Sequence, residues 1–395
     1  MRVLIYSQDG TGLGHLRRTR NIAQELLARE ADCHVLTLTD SPVAPFFRPL
    51  PGIGYRELPT IVKTGPNDWR TWRESLSVRE AIAIRSKLII EAFCEFKPDV
   101  LLVDHMPVGA LGELKPLLDR ATSRCHRPLL FLSLRDVLDA PDVIRQAWSD
   151  LDAYAYLERY DTVLIHGSRE IYDAVSAYDL SGAPRVVFNH YVAARQTRAH
   201  SAPPAGEPLI LVMGGGGADA FPLAAAFLEA FPLVLAEMPA QALVVTGPNM
   251  PRPKRQALAA LGASLPVRVR TSVRDTGPWL QRAAVVVTMA GYNSLAEVLR
   301  WERKALVVPR AGPSAEQRMR SRLFAERGLV RALPPEDLSP ERLACDLLHL
   351  LTENTIPDRE RIPPLDGAQR AAAAILDAMR GEGEATALIA GGGDP

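Results

Sequence analysis

Short, continuously apolar segments alternate along this chain with longer segments in which apolar and polar residues mix at helical spacing. Continuous apolar strands are typical of a parallel sheet covered by helices on both faces, whereas half-buried strands alternate. The pattern predicts strands at 2–7, 34–39, 55–58, 100–103, 129–134, 162–165, 185–188, 209–213, 242–246, 267–271, 284–288, 305–308 and 329–332. It predicts helices between them, among them 16–30, 74–96, 111–123, 143–159 and 170–178.

The alternation breaks between 192 and 208, where the residues are small, polar and rich in proline. We therefore predict an α/β protein with two tandem doubly wound, Rossmann-like domains facing across a cleft. Ligands of such sheets bind at the carboxyl ends of the strands. The predicted parts are an N-terminal domain at 1–190, a linker at 191–207, a C-terminal domain at 208–366, a terminal helix at 367–380 that packs toward the N-terminal domain, and a disordered tail at 381–395.

Composition indicates which partners and which cellular compartment to expect. The chain has 395 residues and a formal net charge of zero, so we expect no nucleic-acid partner. Its four cysteines are scattered, which favours a reducing cytoplasm, and residues 1–6 predict a strand rather than a signal peptide. The apolar, basic-interrupted segment 81–96 leaves peripheral membrane contact open, although a packed helix is the favoured interpretation. The sequence assigns no oligomeric state.

Gly214, Gly215, Gly216 and Gly217 follow the apolar segment 209–213 directly. Four glycines cost backbone entropy when they are fixed, so they suit a site where a ligand approaches the main chain closely. A strand, a glycine turn and a helix N-terminus together form an anion site. We interpret the four glycines as a phosphate cradle, with a flexible hinge as the alternative.

A second glycine loop, with Gly10, Gly12 and Gly14, follows the first strand and ends at His15. It lacks the spacing of a dinucleotide fingerprint and the lysine of a P-loop. A helix N-terminus disfavours protonated imidazole, so His15 is a candidate general base. Asp104, followed by His105, ends a strand predicted to lie beside the first, where its carboxylate could orient His15; a helix cap is the alternative.

The C-terminal half contains further candidate site residues at two strand ends. After the strand at 284–288, either Asn293 or Ser294 is expected to cap a helix whose first turn includes Glu297. A carboxylate there could accept both hydroxyls of a ribose. After the next strand, Glu316 and Gln317 open another helix and could bind the hydroxyls of a sugar. Each of these signals is also typical of an ordinary helix start.

Residues 60–73 are polar and include Trp69 and Trp72. We predict a long functional loop that contacts an acceptor, with a loop fixed by buried aromatic side chains as the alternative.

Together these motifs resemble the two-domain GT-B glycosyltransferases, particularly family 28, which contains the bacterial enzyme that adds N-acetylglucosamine to the peptidoglycan lipid precursor. The resemblance rests on the loop 10–15, the glycines 214–217, the A-G-x-N-S-x-x-E segment that begins with Ala290 and Gly291, and the segment 309–317. Residues 101–114 look like a branch of predicted glycosyltransferases. They depart from the peptidoglycan enzyme, which has a further glycine-rich loop there.

The resemblance implies inverting transfer from a nucleotide sugar, such as UDP-N-acetylglucosamine, to a small-molecule or lipid-linked acceptor, with no metal and no cofactor. His15 would be the base, 214–217 would hold the diphosphate, Glu297 the ribose, and Glu316 and Gln317 the sugar. Two alternatives stay open: a nucleotide-sugar epimerase of similar fold, and a catalytically silent sugar-nucleotide-binding subunit.

Overall fold

The structure is a computed structural model that describes residues 1–10, 12–42, 50–65, 68–72, 75–122, 127–195, 206–353 and 357–381. The described residues form two compact units. One comprises 1–10, 15–192 and 366–381, and the other comprises 12–14 and 193–365. The predicted disordered tail, apart from Gly381, and most of the predicted linker lie outside the described residues.

The first unit contains a seven-stranded sheet in the order β3-β2-β1-β6-β7-β8-β9, and all its pairings are parallel. A separate antiparallel hairpin is made by β4 and β5. The strands are β1 Arg2–Ser7, β2 His34–Thr39, β3 Ile53–Glu57, β4 Ile61–Lys63, β5 Trp69–Thr71, β6 Val100–Asp104, β7 Leu129–Arg135, β8 Thr162–His166 and β9 Val186–Phe188.

The helices of this unit are α1 Gly14–Arg29, α2 Val78–Phe96, α3 Lys115–Thr122, α4 Pro141–Asp150, α5 Ala174–Tyr178 and, after the second unit, α12 Gly367–Arg380. A large apolar core lies along the sheet and includes Leu4, Val103, Leu132 and Trp148. Along β6 and β7 the register pairs Asp104 with Ser133, so two polar side chains adjoin near the carboxyl ends of these strands.

The second unit contains a six-stranded parallel sheet in the order β12-β11-β10-β13-β14-β15. Its strands are β10 Leu209–Met213, β11 Gln241–Val245, β12 Val267–Arg270, β13 Ala283–Thr288, β14 Lys304–Val307 and β15 Arg331–Ala332. Its helices are α6 Phe221–Glu237, α7 Arg252–Leu261, α8 Gly277–Arg282, α9 Tyr292–Arg300, α10 Glu316–Ala325 and α11 Pro340–Thr352. Because β10, β13 and β14 are neighbours, the loops that follow them emerge side by side at one sheet edge.

Two predicted elements were wrong. The predicted loop 60–73 contains the hairpin of β4 and β5, in which Ile61 pairs with Thr71. The single helix predicted at 143–159 is instead α4 followed by a 3-10 segment, Tyr154–Arg159. The break falls at Asp152, whose φ of 49° lies in the left-handed region and stops a right-handed helix.

Within the described ranges, no helix is both long and apolar enough to cross a membrane.

Candidate functional site

The N-terminus of α1 is capped by Asp9. Its carboxylate accepts hydrogen bonds from the backbone N–H groups of His15, at 2.9 Å, and Leu16, at 2.5 Å. These are donors that a helix start otherwise leaves unsatisfied. The negative charge of Asp9 therefore balances the positive end of α1. This corrects the expectation that the bare helix end governs the charge state of His15.

His15 and Asp104 lie in direct contact. Nδ1 of His15 is 2.6 Å from Oδ2 of Asp104, and the carboxylate is fully buried while the imidazole side chain is 14% exposed. Nδ1 also lies 2.9 Å from Nη2 of Arg18, which can only donate, but its contact with the acceptor-only carboxylate is the shorter of the two. We therefore assign the proton of a neutral His15 to Nδ1, which donates it to Asp104. Nε2 of His15, which has no partner among the described residues, is then the basic nitrogen. This is the arrangement of an oriented general base.

Arg18 is the third member of this cluster, and the sequence interpretation missed it. Arg18 is a charged residue near the start of a helix, where exposure is the ordinary expectation, but its side chain is 1% exposed. Its Nε and Nη2 donate hydrogen bonds to Oδ1 of Asp104 at 3.2 and 2.7 Å, and Nη2 also lies 2.9 Å from Oδ2. Arg18 thereby fixes the plane of the carboxylate that orients His15.

The electrostatics of the cluster favour an ionised Asp104. Burial by itself raises the pKa of the Asp104 carboxyl, but Arg18, followed by His15, outweighs it and holds that pKa well below its usual range. Asp104 therefore places a fixed negative charge beside Nδ1 of His15.

His105 packs against the catalytic candidate rather than into open solvent. Its ring centroid is 4.6 Å from that of His15, and its φ of 80° lies in the left-handed region. Burial, with His15 and Arg135 adding to it, lowers the pKa of His105 well below the ordinary value, so its ring is neutral. His105 therefore presents a flat uncharged surface to one side of His15.

Of the remaining residues predicted to line the acceptor loops, some pack against neighbouring residues and others are exposed. A side chain at Gly10 would come within 2.9 Å of the Ile61 carbonyl oxygen, so this glycine is required by packing. Trp69 packs on the small apolar cluster that contains Ile61 and Ala81. Trp72 is 59% exposed and stays available for a ligand. Gly12 and Gly14 are half-buried.

In the second unit, the four glycines after β10 have two different roles. A Cβ at Gly214 or Gly217 would lie 2.6 or 2.5 Å from the Thr246 carbonyl oxygen, which real structures do not allow. These two glycines therefore let the loop pack on the turn after β11. Gly215, at φ 58°, has open space around it, and a Cβ there would meet only the Ser294 hydroxyl oxygen, at 4.0 Å.

Gly215 and Ser294 lie close together at this sheet edge. The predicted caps of α9 were wrong, because its N-cap is Gly291 and no side chain bonds the helix start. Asn293 and Ser294 instead lie in the first turn, and no side chain caps the N–H groups of that turn. The helix that follows the four glycines, α6, begins at Phe221. The candidate anion site therefore combines the Gly215 turn with the start of α9 rather than of α6.

Glu297 lies in the second turn of α9, not the first as predicted. Its side chain is nearly buried, and Oε2 accepts a hydrogen bond from Thr276 Oγ1 at 3.1 Å. Thr276 precedes α8 and fixes the carboxylate in one orientation. The buried Ala290, one residue before the N-cap, contributes its carbonyl to Arg320 rather than to a ligand.

Glu316 and Gln317 open α10 as predicted, but they face different surroundings. Glu316 is buried and its Oε1 is 2.7 Å from Arg320 Nη1, with both side chains at most 5% exposed. Gln317 is half-buried, and its Oε1 accepts the backbone N–H of Arg310 at 3.1 Å, which leaves its Nε2 group pointing out as a donor. The sugar-binding prediction therefore fits Gln317 better than Glu316.

Arg310 adds a cation at the same edge. Its guanidinium is 26% exposed and lies 3.4 Å from Asp219 and 4.0 Å from Glu316. Across the described residues, no group of three or more His, Cys, Asp or Glu side chains could hold a metal ion.

Two comparisons identify related proteins. Residues 209–372 match the family model described as the glycosyltransferase family 28 C-terminal domain. No curated protein matches the chain in sequence. MurG from Acinetobacter baumannii is similar in structure, with a TM-score of 0.55, 16% identity, and coverage of 96% of this chain and 99% of that one.

Two further solved structures are similar over nearly their whole length. CalG4, the calicheamicin glycosyltransferase, has a TM-score of 0.60 and 15% identity with complete coverage of both chains. A Listeria monocytogenes protein assigned as UDP-N-acetylglucosamine 2-epimerase has a TM-score of 0.62 and 15% identity, covering 98% and 97%. At these identities the similarity concerns the fold, and it confirms the prediction of two Rossmann-like domains in a GT-B architecture.

Proposed function

We propose that this protein, which has a GT-B fold and resembles family 28 in its C-terminal half, is a glycosyltransferase that transfers a sugar from a nucleoside-diphosphate sugar to an acceptor hydroxyl with inversion and without a metal. The observation that supports this most directly is the contact between His15 Nδ1 and Asp104 Oδ2 at 2.6 Å, which leaves Nε2 as a base. The first donor to test is a UDP-sugar such as UDP-N-acetylglucosamine.

In the proposed reaction, Nε2 of His15 removes the acceptor proton while the acceptor oxygen attacks the anomeric carbon. The bond from that carbon to the diphosphate oxygen breaks on the opposite face, so the configuration inverts. Asp104, held by Arg18, stabilises the imidazolium that forms.

The donor would lie along the loops that follow β10, β13 and β14. The N–H groups near Gly215 and at the start of α9, with the Ser294 hydroxyl, would bind the diphosphate and stabilise its developing charge in place of a metal. Glu297 would accept the ribose hydroxyls, and Gln317 would donate to the sugar. We place the acceptor near Trp72 and leave its nature, small molecule or lipid-linked, to experiment.

We further propose a cytoplasmic location, because Cys33, Cys94 and Cys345 are all free thiols.

The test is a thermal-shift panel of nucleoside diphosphates and nucleotide sugars, followed by product analysis. A real donor at about 100 times its Kd should add roughly 2.7 kcal/mol of stability. His15→Ala should keep this shift and lose transfer, whereas Glu297→Ala should lose the shift. If no nucleotide stabilises the protein, the proposal fails. If His15→Ala transfers normally, the base assignment fails and the donor site stands.

The similarity to the Listeria protein supports a second candidate, a nucleotide-sugar epimerase. The same panel separates the two. An epimer formed from the nucleotide sugar with no acceptor present would favour the epimerase, and donor binding without any turnover would favour a silent binding subunit.

A further inference from the structure

A continuous chain of buried side chains leads away from the His15–Asp104 pair. Oδ1 of Asp104 is 3.0 Å from Ser133 Oγ, which is 2.8 Å from Nε2 of His166. Nδ1 of His166 is 3.3 Å from Nδ2 of Asn189, which is 2.7 Å from the Gly367 carbonyl oxygen. Asp104, Ser133 and His166 are fully buried, and Asn189 is 2% exposed.

The donors and acceptors assign a single direction to this chain. The Asn189 amide group donates to the Gly367 carbonyl and, with its second hydrogen, to His166 Nδ1. His166 therefore carries its proton on Nε2 and donates to Ser133, which in turn donates to Asp104. Burial lowers the pKa of His166 to about 3, so the ring stays neutral and keeps this tautomer. Every hydrogen bond of the chain then points toward the carboxylate.

The far end of the chain lies where the polypeptide leaves the first unit and where it returns. Val192 forms a bridge with Asp366, and Gly367 N–H donates to the Tyr191 carbonyl at 3.0 Å. A side chain at Gly367 would come within 2.6 Å of the His190 carbonyl oxygen, so the two segments are in close contact. The Asn189 side chain joins this crossing to His166.

We propose that Ser133, His166 and Asn189 are positioning residues that fix the Asp104 carboxylate, and through it the His15 imidazole, to the crossing formed by 189–192 and 366–367. The role of His15 as a base rests on the proposed function, whereas the direction of the hydrogen bonds does not. Ser133 gives Oδ1 a donor from the neighbouring strand in addition to Arg18, so it helps to set the angle at which Asp104 meets His15. Asn189 and Gly367 hold the chain at its far end.

The first experiment reads the imidazoles directly and needs no activity. In the whole protein labelled with ¹⁵N-histidine, His166 should give the shifts of a neutral ring protonated on Nε2 from pH 5 to pH 9. His15 should give the Nδ1-protonated form when it is neutral. Ser133→Ala should move the signals of both rings. A His166 protonated on Nδ1, or one that titrates in this range, would overturn the proposal.

A matched control is Ser7→Ala. Ser7 is also fully buried at the end of a strand of the same sheet, and its hydroxyl has no hydrogen-bond partner among the described residues. This variant loses the same atom without breaking the chain, so it should leave both histidine signals in place. If Ser7→Ala moves them as far as Ser133→Ala does, the effect is general loosening and the proposal fails.

The second experiment uses kinetics of the folded variants. Ser133→Ala should lower kcat about tenfold, the value of one hydrogen bond of about 1.4 kcal/mol, with the donor KM within about twofold. His166→Gln keeps an N–H donor near the position of Nε2, whereas His166→Leu has none. The Gln variant should therefore keep most of the kcat that the Leu variant loses. Equal kcat values for the Gln and Leu variants would contradict the positioning role. If no transfer is found at all, only the proposed function fails, because the histidine signals are read independently.

Discussion

The guanidinium of Arg18 and the carboxylate of Asp104 form a buried ion pair, with Nη2 2.7 Å from Oδ1 and side-chain exposures of 1% and 0%. The same carboxylate binds the candidate base, His15, through its other oxygen. One acidic side chain thus joins the packing of α1 to the chemistry of the site. Stability and activity are therefore expected to fall together when Asp104 or Arg18 is changed, whereas a change of His15 should affect activity more than stability.

Asp104→Asn should remove most activity, because an amide that donates toward His15 Nδ1 stabilises the wrong tautomer. We expect a loss of kcat of at least about a hundredfold. His15→Gln should lose a similar amount of activity with a smaller loss of stability, since Arg18 still pairs with the buried Asp104 carboxylate. The measurement is kcat alongside the urea midpoint of each variant. If Asp104→Asn and His15→Gln lower the urea midpoint equally, Asp104 does not have the additional structural role expected here.

Acid should lower the free energy of unfolding of the first unit by protonating the Asp104 carboxylate. Burial raises the pKa of Asp104, but Arg18 and His15 outweigh it, so the folded-state pKa lies below the unfolded value of about 3.9. The stabilisation from ionised Asp104 is therefore complete above that pH and is lost as the pH falls through the folded-state value. Urea midpoints of the wild type and Asp104→Asn, measured from pH 7 to pH 2, should converge only below about pH 4. If the difference between the two urea midpoints stays constant down to pH 2, ionisation of Asp104 is not the source of the stabilisation.

Gly217→Ala and Gly215→Asn should separate packing from binding. Alanine at 217 places its methyl group 2.5 Å from the Thr246 oxygen and should cost at least about 2 kcal/mol of unfolding free energy. Asparagine tolerates the left-handed region, so at 215 it should cost less than about 1 kcal/mol while its side chain obstructs the anion site. The donor KM of Gly215→Asn should rise at least about tenfold, a loss of about 1.4 kcal/mol. An unchanged KM would show that the diphosphate does not bind at Gly215.

Glu316→Gln and Gln317→Ala, neighbours in one helix turn, should give opposite results. Replacing Glu316 leaves the buried Arg320 without its charged partner, which should cost about 3–5 kcal/mol. Gln317→Ala should change stability by less than about 1 kcal/mol, because only one bond to the Arg310 backbone is lost. It should instead raise the donor KM. Denaturation curves with donor titrations decide this, and an unaffected KM in Gln317→Ala would remove Gln317 from the sugar site.

The sheets could be predicted from the sequence because their strands are buried on both faces and therefore appear as continuous apolar segments. The strand at 209–213 was predicted to the residue, and so was that at 34–39. The hairpin at β4 and β5 was not, because Ile61–Lys63 and Trp69–Thr71 are too short to show a period. Pairing between such short strands depends on tertiary packing against Ala81 and its neighbours.

The site was predictable only where a single local motif contains it. Asp104 was proposed from its position at a strand end and His15 from its position after a glycine loop, whereas Arg18 gives no local signal because its partner lies 86 residues away. Ser133 lies inside the apolar strand β7 and His166 is the last residue of β8, and one polar residue at such a position gives no signal of its own. The pairing of Glu316 could have been predicted from the local sequence, because Arg320 lies four residues later in the same helix, the spacing at which a glutamate pairs with an arginine.

The first unit is discontinuous in sequence, so its last helix is synthesised long after its sheet. Its sheet is complete by residue 188, yet α12, with Ala371, Ala372 and Ile375 fully buried, follows the whole second unit. About 175 residues separate Val192 from Gly367, which takes a ribosome roughly 9–35 s at 5–20 residues per second. During that interval the surface that α12 covers stays exposed on the nascent chain. A ribosome-bound fragment ending before α12 should therefore engage chaperones more strongly than the full-length protein does.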